Sequence, residues 1–468
     1  MKKTLISIVL CAAMVLSLGG AVLADGAPSG YTITEAGTIP DNGLDFEIRS
    51  EALVTRGVDE AGEYYTYRIY DYLGNPILDQ DLYDISSVTE GVFSVRSTDT
   101  ENVNCRGVVT MDGEVLIPCE AAIIKAISNE TDMPDRYLEV IYGTEEVENK
   151  EDAFFYMTDS WFSLQPEEGD VLYAGYAKVY DLVNRQFVGD LIVDNPNSYA
   201  LHGVGDVFTY EGRDGVERVY GADGQEIMEI SGFVRGYGGN LLVVRDSGKT
   251  CMYDARSGEV LLESDLDLQY EDGYLTSYAD GMYSLMDLEA NPVTDTQFSI
   301  IYGISGDIVR CEIQEDVSAL YDLGADALLC DMSELEKTDS YYYPIQYGYY
   351  YYSGDEGDIL ISPSGQQLPY DGGAPYSLAV YREGADGNRT YYVAAEDDFT
   401  LATGSSVGVQ AEGLIFSRSE EGLLGAYDLF SGEELLPPQY KSLDYGGGYI
   451  FADDGSSVTV YRISLSGE

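Results

Sequence analysis

Carboxylates are the side chains this sequence offers most freely for chemistry. It has 83 Asp and Glu against 25 Lys and Arg, with a single histidine, His202. Two carboxylates flanking a glycosidic bond can do acid–base or nucleophilic work, but spacing alone selects no pair from so many. A Ser-His-Asp arrangement would have to use His202, which lies beside Gly203 in a turn-like stretch with no marked serine partner. No Ser-x-x-Lys or His-Glu-x-x-His occurs. The reading is therefore no catalytic residue and no enzyme. Calcium is the cofactor that the acids would suit, because hard cations take oxygen ligands. Asp265-Leu266-Asp267, Asp355-Glu356-Gly357-Asp358 and Asp386-Gly387-Asn388 are the acidic turns available. None follows a known calcium-loop spacing, and each reads more simply as a hairpin turn, so the expectation is no cofactor and no metal site.

Five cysteines follow the first 24 residues: Cys105, Cys119, Cys251, Cys311 and Cys330. Cys105 and Cys119 flank a hairpin turning at Asp112-Gly113. A two-residue loop there pairs positions summing to 225, and these two sum to 224. They form the one candidate disulfide. Cys311 and Cys330 fall two strands apart, about 9.6 Å in a regular sheet, beyond disulfide reach.

Aromatic side chains supply the candidate binding residues. Eight tyrosines lie between Tyr341 and Tyr352, and the sole tryptophan is Trp161. Alternate strand residues face opposite ways, so some of these rings lie outside a core, where sugars or protein partners dock. The candidates are Tyr341, Tyr343, Tyr347, Tyr349, Tyr351 and Trp161. Packing between repeat units is the competing reading.

The elements that position these residues are set by a repeat. Tyr253-Asp254-Ala255-Arg256-Ser257-Gly258-Glu259-Val260-Leu261-Leu262 has a close copy at Tyr427 to Leu436, and looser copies sit at Tyr70, Thr110, Tyr180, Tyr220, Met286, Tyr321, Leu360, Tyr392 and Tyr461. From Tyr220 onward the steps are 33, 33, 35, 39, 32, 35 and 34 residues; upstream they are 40, 70 and 40. Within one period, Leu241–Arg245, Thr250–Tyr253 and Val260–Glu263 read as strands, and Leu266–Tyr270 as a fourth. Such a unit cannot bury its own apolar face and must stack on its neighbours. The expected fold is all-β, in tandem antiparallel repeats of 32–40 residues. A β-propeller is favoured, with a β-solenoid or open superhelix as the alternative. The expected organisation is a signal peptide over 1–24, a lead-in over 25–60 and a β-repeat domain over 61–468, with an irregular insertion or enlarged repeat at about 133–179.

Two repeats carry a family pattern. Gly107 to Glu120 and Gly425 to Tyr440 each run Gly, strand, turn, apolar pair and Pro, the second copy ending on an aromatic. This resembles the bacterial WG-repeat family, with Arg106 and Leu424 where the family has Trp. The resemblance implies an all-β exported or surface protein and no particular chemistry.

Met1 to Ala24 has a Lys2-Lys3 start, an apolar stretch from Ile6 to Leu18 and a small-residue end at Val22-Leu23-Ala24, the form of a cleaved secretory signal. Cleavage removes two lysines and no acid, taking the net charge from −58 to −60. Such a charge argues against nucleic acid and anionic lipid as partners. No later apolar run reaches the roughly 20 residues needed to span a bilayer. The functional expectation is a secreted or cell-surface, non-enzymatic protein presenting a binding surface for a protein or glycan at the bacterial envelope. A polysaccharide hydrolase or lyase using acidic residues, and a structural envelope component, are the alternatives.

Overall fold

The computed structural model describes residues 31–39, 44–98, 105–130, 135–148, 155–157, 162–163, 171–193, 201–314, 317–332, 341–345, 349–354, 357–361, 367–370, 380–383, 389–392, 398–400, 406–411, 414–419, 421–428 and 433–465. Every α-helix or strand assigned among them is a β-strand, and all pairing between strands of a sheet is antiparallel. The expected signal peptide lies outside these residues. Among them, no helix is long and apolar enough to cross a membrane.

Local sequence sets the hairpins. Ser247-Gly248, Asp272-Gly273 and Asp280-Gly281 each place two successive residues at positive φ between directly paired strand ends. That is the two-residue turn whose twist matches the flanking strands, and it favours Asn, Asp or Gly there. The Asp of the repeated phrase has a separate task. Asp71 Oδ1 accepts the N–H groups of Leu73 at 2.9 Å and Asn75 at 2.8 Å. Asp287 Oδ1 accepts those of Glu289 at 3.0 Å and Asn291 at 2.7 Å. Asp181, Asp254 and Asp322 hold their own turns in the same way. The carboxylate supplies acceptors to donors that the turn leaves without a ladder partner.

The chain divides into two compact units, one over residues 42–267 and the other over 268–468 with the segment 21–41. In the first, the strands from Phe46 to Ala121 form one sheet, but its halves meet only at Tyr67↔Leu82. The next sheet is a meander of Ile123–Ile127, Tyr137–Val147, Val171–Asp181 and Gln186–Phe187. A short hairpin, Phe155–Met157 with Phe162–Ser163, is added to it at Phe155↔Tyr173. Most of these strands fall in the described part of the 70-residue step from Thr110 to Tyr180. Two four-stranded meanders follow, Leu201–Glu229 and Phe233–Ser264. Tyr137, Tyr173, Phe208 and Tyr210 are buried together in a core of this unit, with the Tyr137 and Phe208 rings edge to face at 5.0 Å.

In the second unit, sheets begin at Leu268, Ile300, Tyr341, Val380 and Ser406. A separate final sheet contains Ser442–Gly446, Tyr449–Asp453 and Val458–Leu465, and Tyr31–Ile39 pairs with its outer strand from Tyr31↔Leu465 to Ile39↔Val458. Leu414, Phe416, Ala426, Ile450 and Ile463 are buried in one core there.

Several expectations need correction. Residues 25–60 are not a mere lead-in: they contain Tyr31–Ile39, Phe46–Arg49 and Ala52–Val58, all paired in sheets. Leu266–Tyr270 is not the fourth strand of its own repeat. Leu268–Glu271 opens the next sheet, where Leu268 is fully buried opposite Ser277; the fourth strand is Phe233–Gly238, upstream.

Cys105 and Cys119 are both free. The hairpin pairs Val108↔Ile117 as expected, but a bulge shifts the register to Arg106↔Ala121. Cys119 falls inside the bulge, its sulfur over Gly107 and accepting from Gln80 Nε2 at 3.2 Å, while the Cys105 N–H donates to Ala121 O. Cys311 and Cys330 are free and lie on strands separated by Val317–Asp322, as their spacing requires.

The two family-like repeats share this bulged hairpin. Leu424↔Tyr440, Ala426↔Leu436 and Tyr427↔Glu434 repeat the shift, and Val115–Ala121 and Glu434–Tyr440 alternate between buried and exposed residues in the same order. A Cβ on Gly107 would lie 2.7 Å from Ile117 O, and one on Gly425 2.7 Å from Leu436 O. The glycine is needed because the bulged strand passes directly over it.

Candidate ligand cavity

The titratable groups that do converge lie in the first unit. Strands Ile123–Ile127 and Tyr137–Val147 pair so that Lys125 faces Glu139 across the ladder. Their side chains meet at 2.5 Å, Lys125 Nζ to Glu139 Oε2. Glu139 is 3% exposed. Lys125 Nζ is shielded from solvent, and apart from this ion pair no described group offers it an acceptor in hydrogen-bond geometry.

The strand Leu201–Val204 joins them through a parallel bridge, Asn129↔Gly203. Glu130 N donates to Gly203 O at 2.9 Å, and Gly203 N to Ser128 O at 2.8 Å. Asn129 Oδ1 accepts from Gly205 N at 3.2 Å. The approach needs a glycine, since a Cβ on Gly203 would lie 3.0 Å from Asn129 Cα. The result sets His202 Nδ1 3.0 Å from Glu130 Oε1. His202 is thus on a strand opposite Thr209, not in a turn.

Lys125, Ile127, Glu130, Glu139, Leu201 and His202 line a partly open cavity of about 310 Å³. The two carboxyl groups are driven apart. Burial pushes the Glu139 carboxyl up, with Lys125 opposing. The hydrogen bond with His202 is the main cause holding Glu130 below its ordinary value. Carboxyl groups separated in this way can divide acid and base roles. The Lys125–Glu139 ion pair and the His202–Glu130 contact also set donors beside acceptors, an arrangement suited to a polar ligand.

A second polar cluster fastens neighbouring strands. Arg136 donates from Nε and Nη2 to the buried Asp181 at 3.1 and 2.8 Å, and from Nη1 to Asp206 Oδ1 at 3.0 Å. Tyr137 Oη donates to Asp206 O at 2.5 Å. Every Asp181 oxygen is used, since Val183, Asn184 and Arg136 all donate to it, which makes this cluster structural.

The sequence-predicted residues lie elsewhere. Tyr341 and Tyr343 are on Tyr341–Ile345, and Tyr349 and Tyr351 on Tyr349–Gly354, with Tyr343↔Tyr351 and Ile345↔Tyr349 in register. Tyr347 and Trp161 lie outside the described residues, as do Asp355, Glu356, Asp386, Gly387 and Asn388 of the acidic turns. In the remaining turn, Asp267 is engaged by Arg235 at 3.4 Å and Arg245 at 3.7 Å. Among the described residues, no three His, Cys, Asp or Glu side chains come together as metal ligands would. Sequence reasoning missed Lys125, Glu130 and Glu139. The available signal was a lysine inside Ile123-Ile124-Lys125-Ala126-Ile127 and a glutamate inside Leu138-Glu139-Val140-Ile141.

No protein-family model matches the chain, and no curated protein matches it. Among solved structures it is similar to the computationally designed Ika8 protein, at 12% identity and a TM-score of 0.21, covering 92% of this chain and 99% of that one. It is similar to BamB from Moraxella catarrhalis at 9% identity and a TM-score of 0.22, covering 92% and 100%. KlHsv2 with loop 6CD replaced by a Gly-Ser linker is similar at 9% identity and a TM-score of 0.25, covering 60% and 92%. At such scores the fold rests on strand pairing within the chain itself.

Proposed function

We propose that this chain is an exported, non-enzymatic β-repeat protein of the propeller type, a degenerate relative of the WG-repeat family, that binds a protein or glycan at the bacterial cell envelope. The cavity between Lys125, Glu139, Glu130 and His202 carries the reading, because it sets paired donors and acceptors around a space of small-ligand size. Two observations support the propeller form. Most successive meanders carry one copy of the repeated phrase, and Tyr31–Ile39, the first described strand, completes the last sheet. The shared bulged hairpins at Gly107 and Gly425 support the family assignment. Export rests on residues 1–24, and the large negative charge weighs against nucleic acid and anionic membranes as partners.

A polysaccharide hydrolase is the second reading, favoured by the opposed shifts of Glu139 and Glu130. A glycan array followed by a reducing-end assay separates the two. The binding reading expects capture of a glycan or, failing that, of an envelope protein, with no new reducing ends. Release of reducing ends from a captured glycan overturns it in favour of the hydrolase.

A further inference from the structure

We infer that the cavity at Lys125, Glu130, Glu139 and His202 takes one uncharged sugar ring, gripped through neighbouring hydroxyl groups. This rests on the binding reading above and names the ligand class of that site.

Charge narrows the choice first. Two carboxylates, one ammonium and one imidazole line the cavity. With the imidazole neutral, the site carries one net negative charge inside a chain of −58. An anion is repelled by both. A cation must displace or face the Lys125 ammonium, which lies 2.5 Å from the buried Glu139. Breaking that pair would strand a charge away from water. A neutral ligand meets neither penalty.

Hydrogen-bond capacity narrows it further. A carboxylate has about four acceptor sites and an ammonium three donors. Glu139 and Lys125 satisfy one another only in part, since no described acceptor in hydrogen-bond geometry completes the Lys125 ammonium. His202 and Glu130 set a second nitrogen beside a carboxylate at the more exposed side, 3.0 Å apart. A hydroxyl group both donates and accepts. Two on adjacent ring carbons can donate to the carboxylate of a pair while accepting from its cation or imidazole. Ile127 and Leu201 supply apolar wall for the C–H face of such a ring, and the volume of about 310 Å³ accommodates one ring.

Titration calorimetry of the full chain tests this with methyl gluco-, galacto- and mannopyranoside, tetrahydropyran, glucuronate and glucosamine. At least one methyl pyranoside should bind saturably, and tetrahydropyran, glucuronate and glucosamine should not. His202→Ala and the double variant Lys125→Met/Glu139→Gln, which removes both buried charges together, should each weaken binding about tenfold or more, the loss expected for one hydrogen bond to a charged group. A thermal melt identifies any variant that fails to fold, and the other variant then decides. The inference is overturned if no pyranoside binds, if tetrahydropyran binds as well, or if a folded variant binds like the parent. Capture of glycans on an array by both variants at parental strength would sink this inference and leave the binding reading standing. Failure of the parent chain to capture any glycan or envelope protein would sink both.

Discussion

Asp428 Oδ2 accepts the backbone N–H of Tyr31 at 3.0 Å, across 397 positions of sequence. Asp428 is the Asp of the repeated phrase, and it is 1% exposed. Elsewhere the same position serves its own turn, as at Asp71 and Asp287. Here it holds the strand that completes the final sheet. Asp428→Ala leaves the Tyr31 N–H without that acceptor and should cost about 1–3 kcal/mol, read as a lower urea midpoint. Deleting residues 25–39 should do more. It bares the edge of Val458–Leu465, and an unpaired edge recruits other chains, so light scattering should report association.

Arg136 and Asp181 make the second prediction. Burial pushes the Asp181 carboxyl up, but hydrogen bonds from Arg136 and Asn184 outweigh it and hold the group below its ordinary value. A depressed carboxyl contributes stability that is present above its unfolded pKa of about 3.9 and is lost as pH falls through the folded value. Arg136→Met strands the buried carboxylate and should cost about 3–5 kcal/mol at pH 7. The gap between parent and variant should close in acid below the unfolded value, as urea melts at both pH values would show.

Glu139 carries the opposite sign. Its carboxyl is raised by burial, with Lys125 only partly opposing. A raised carboxyl contributes stability that is fully present below its unfolded pKa of about 4.3 and is lost as pH rises through the folded value. The double variant Lys125→Met/Glu139→Gln, which strands no charge, should therefore gain on the parent as pH rises through that window. A pH series of denaturation midpoints checks this, and a gap that widens toward acid would refute it.

The glycines under the bulges give a steric prediction. Gly425→Ala and Gly107→Ala would each place a Cβ 2.7 Å from a carbonyl oxygen of the overlying strand. That contact is with backbone, so relief requires a sheet shift, and each change should cost about 1–3 kcal/mol. Gly303→Ala is the control. Nothing lies within 4 Å of its Cβ position, and differential scanning calorimetry should find it neutral or slightly stabilised.

The repeat was legible because turn chemistry is local. Asp and Gly hold backbone groups within four residues, so the phrase at Asp71 or Asp254 shows in the sequence itself. The strands Leu241–Asp246 and Lys249–Asp254 were legible for the same reason. The bulge over Gly107 was not, because the strand that makes it necessary sits ten residues away in register. Nor was the cavity. Lys125 meets Glu139 only after a hairpin fixes their register, and His202 reaches Glu130 across 72 positions through Asn129↔Gly203. A lone histidine and two ordinary glutamates carry no mark of that convergence. The tyrosine-rich strands Tyr341–Ile345 and Tyr349–Gly354 stood out by composition, which reports what a segment contains and not what it meets.

Ligand is expected at the Lys125–Glu139 and Glu130–His202 cavity. Hydrogen exchange read by mass spectrometry, with and without a glycan captured on an array, tests this most directly. Exchange should slow in peptides covering residues 123–130, 137–141 and 201–204. Slowing confined to other segments, such as the tyrosine-rich strands at 341–354, would contradict it.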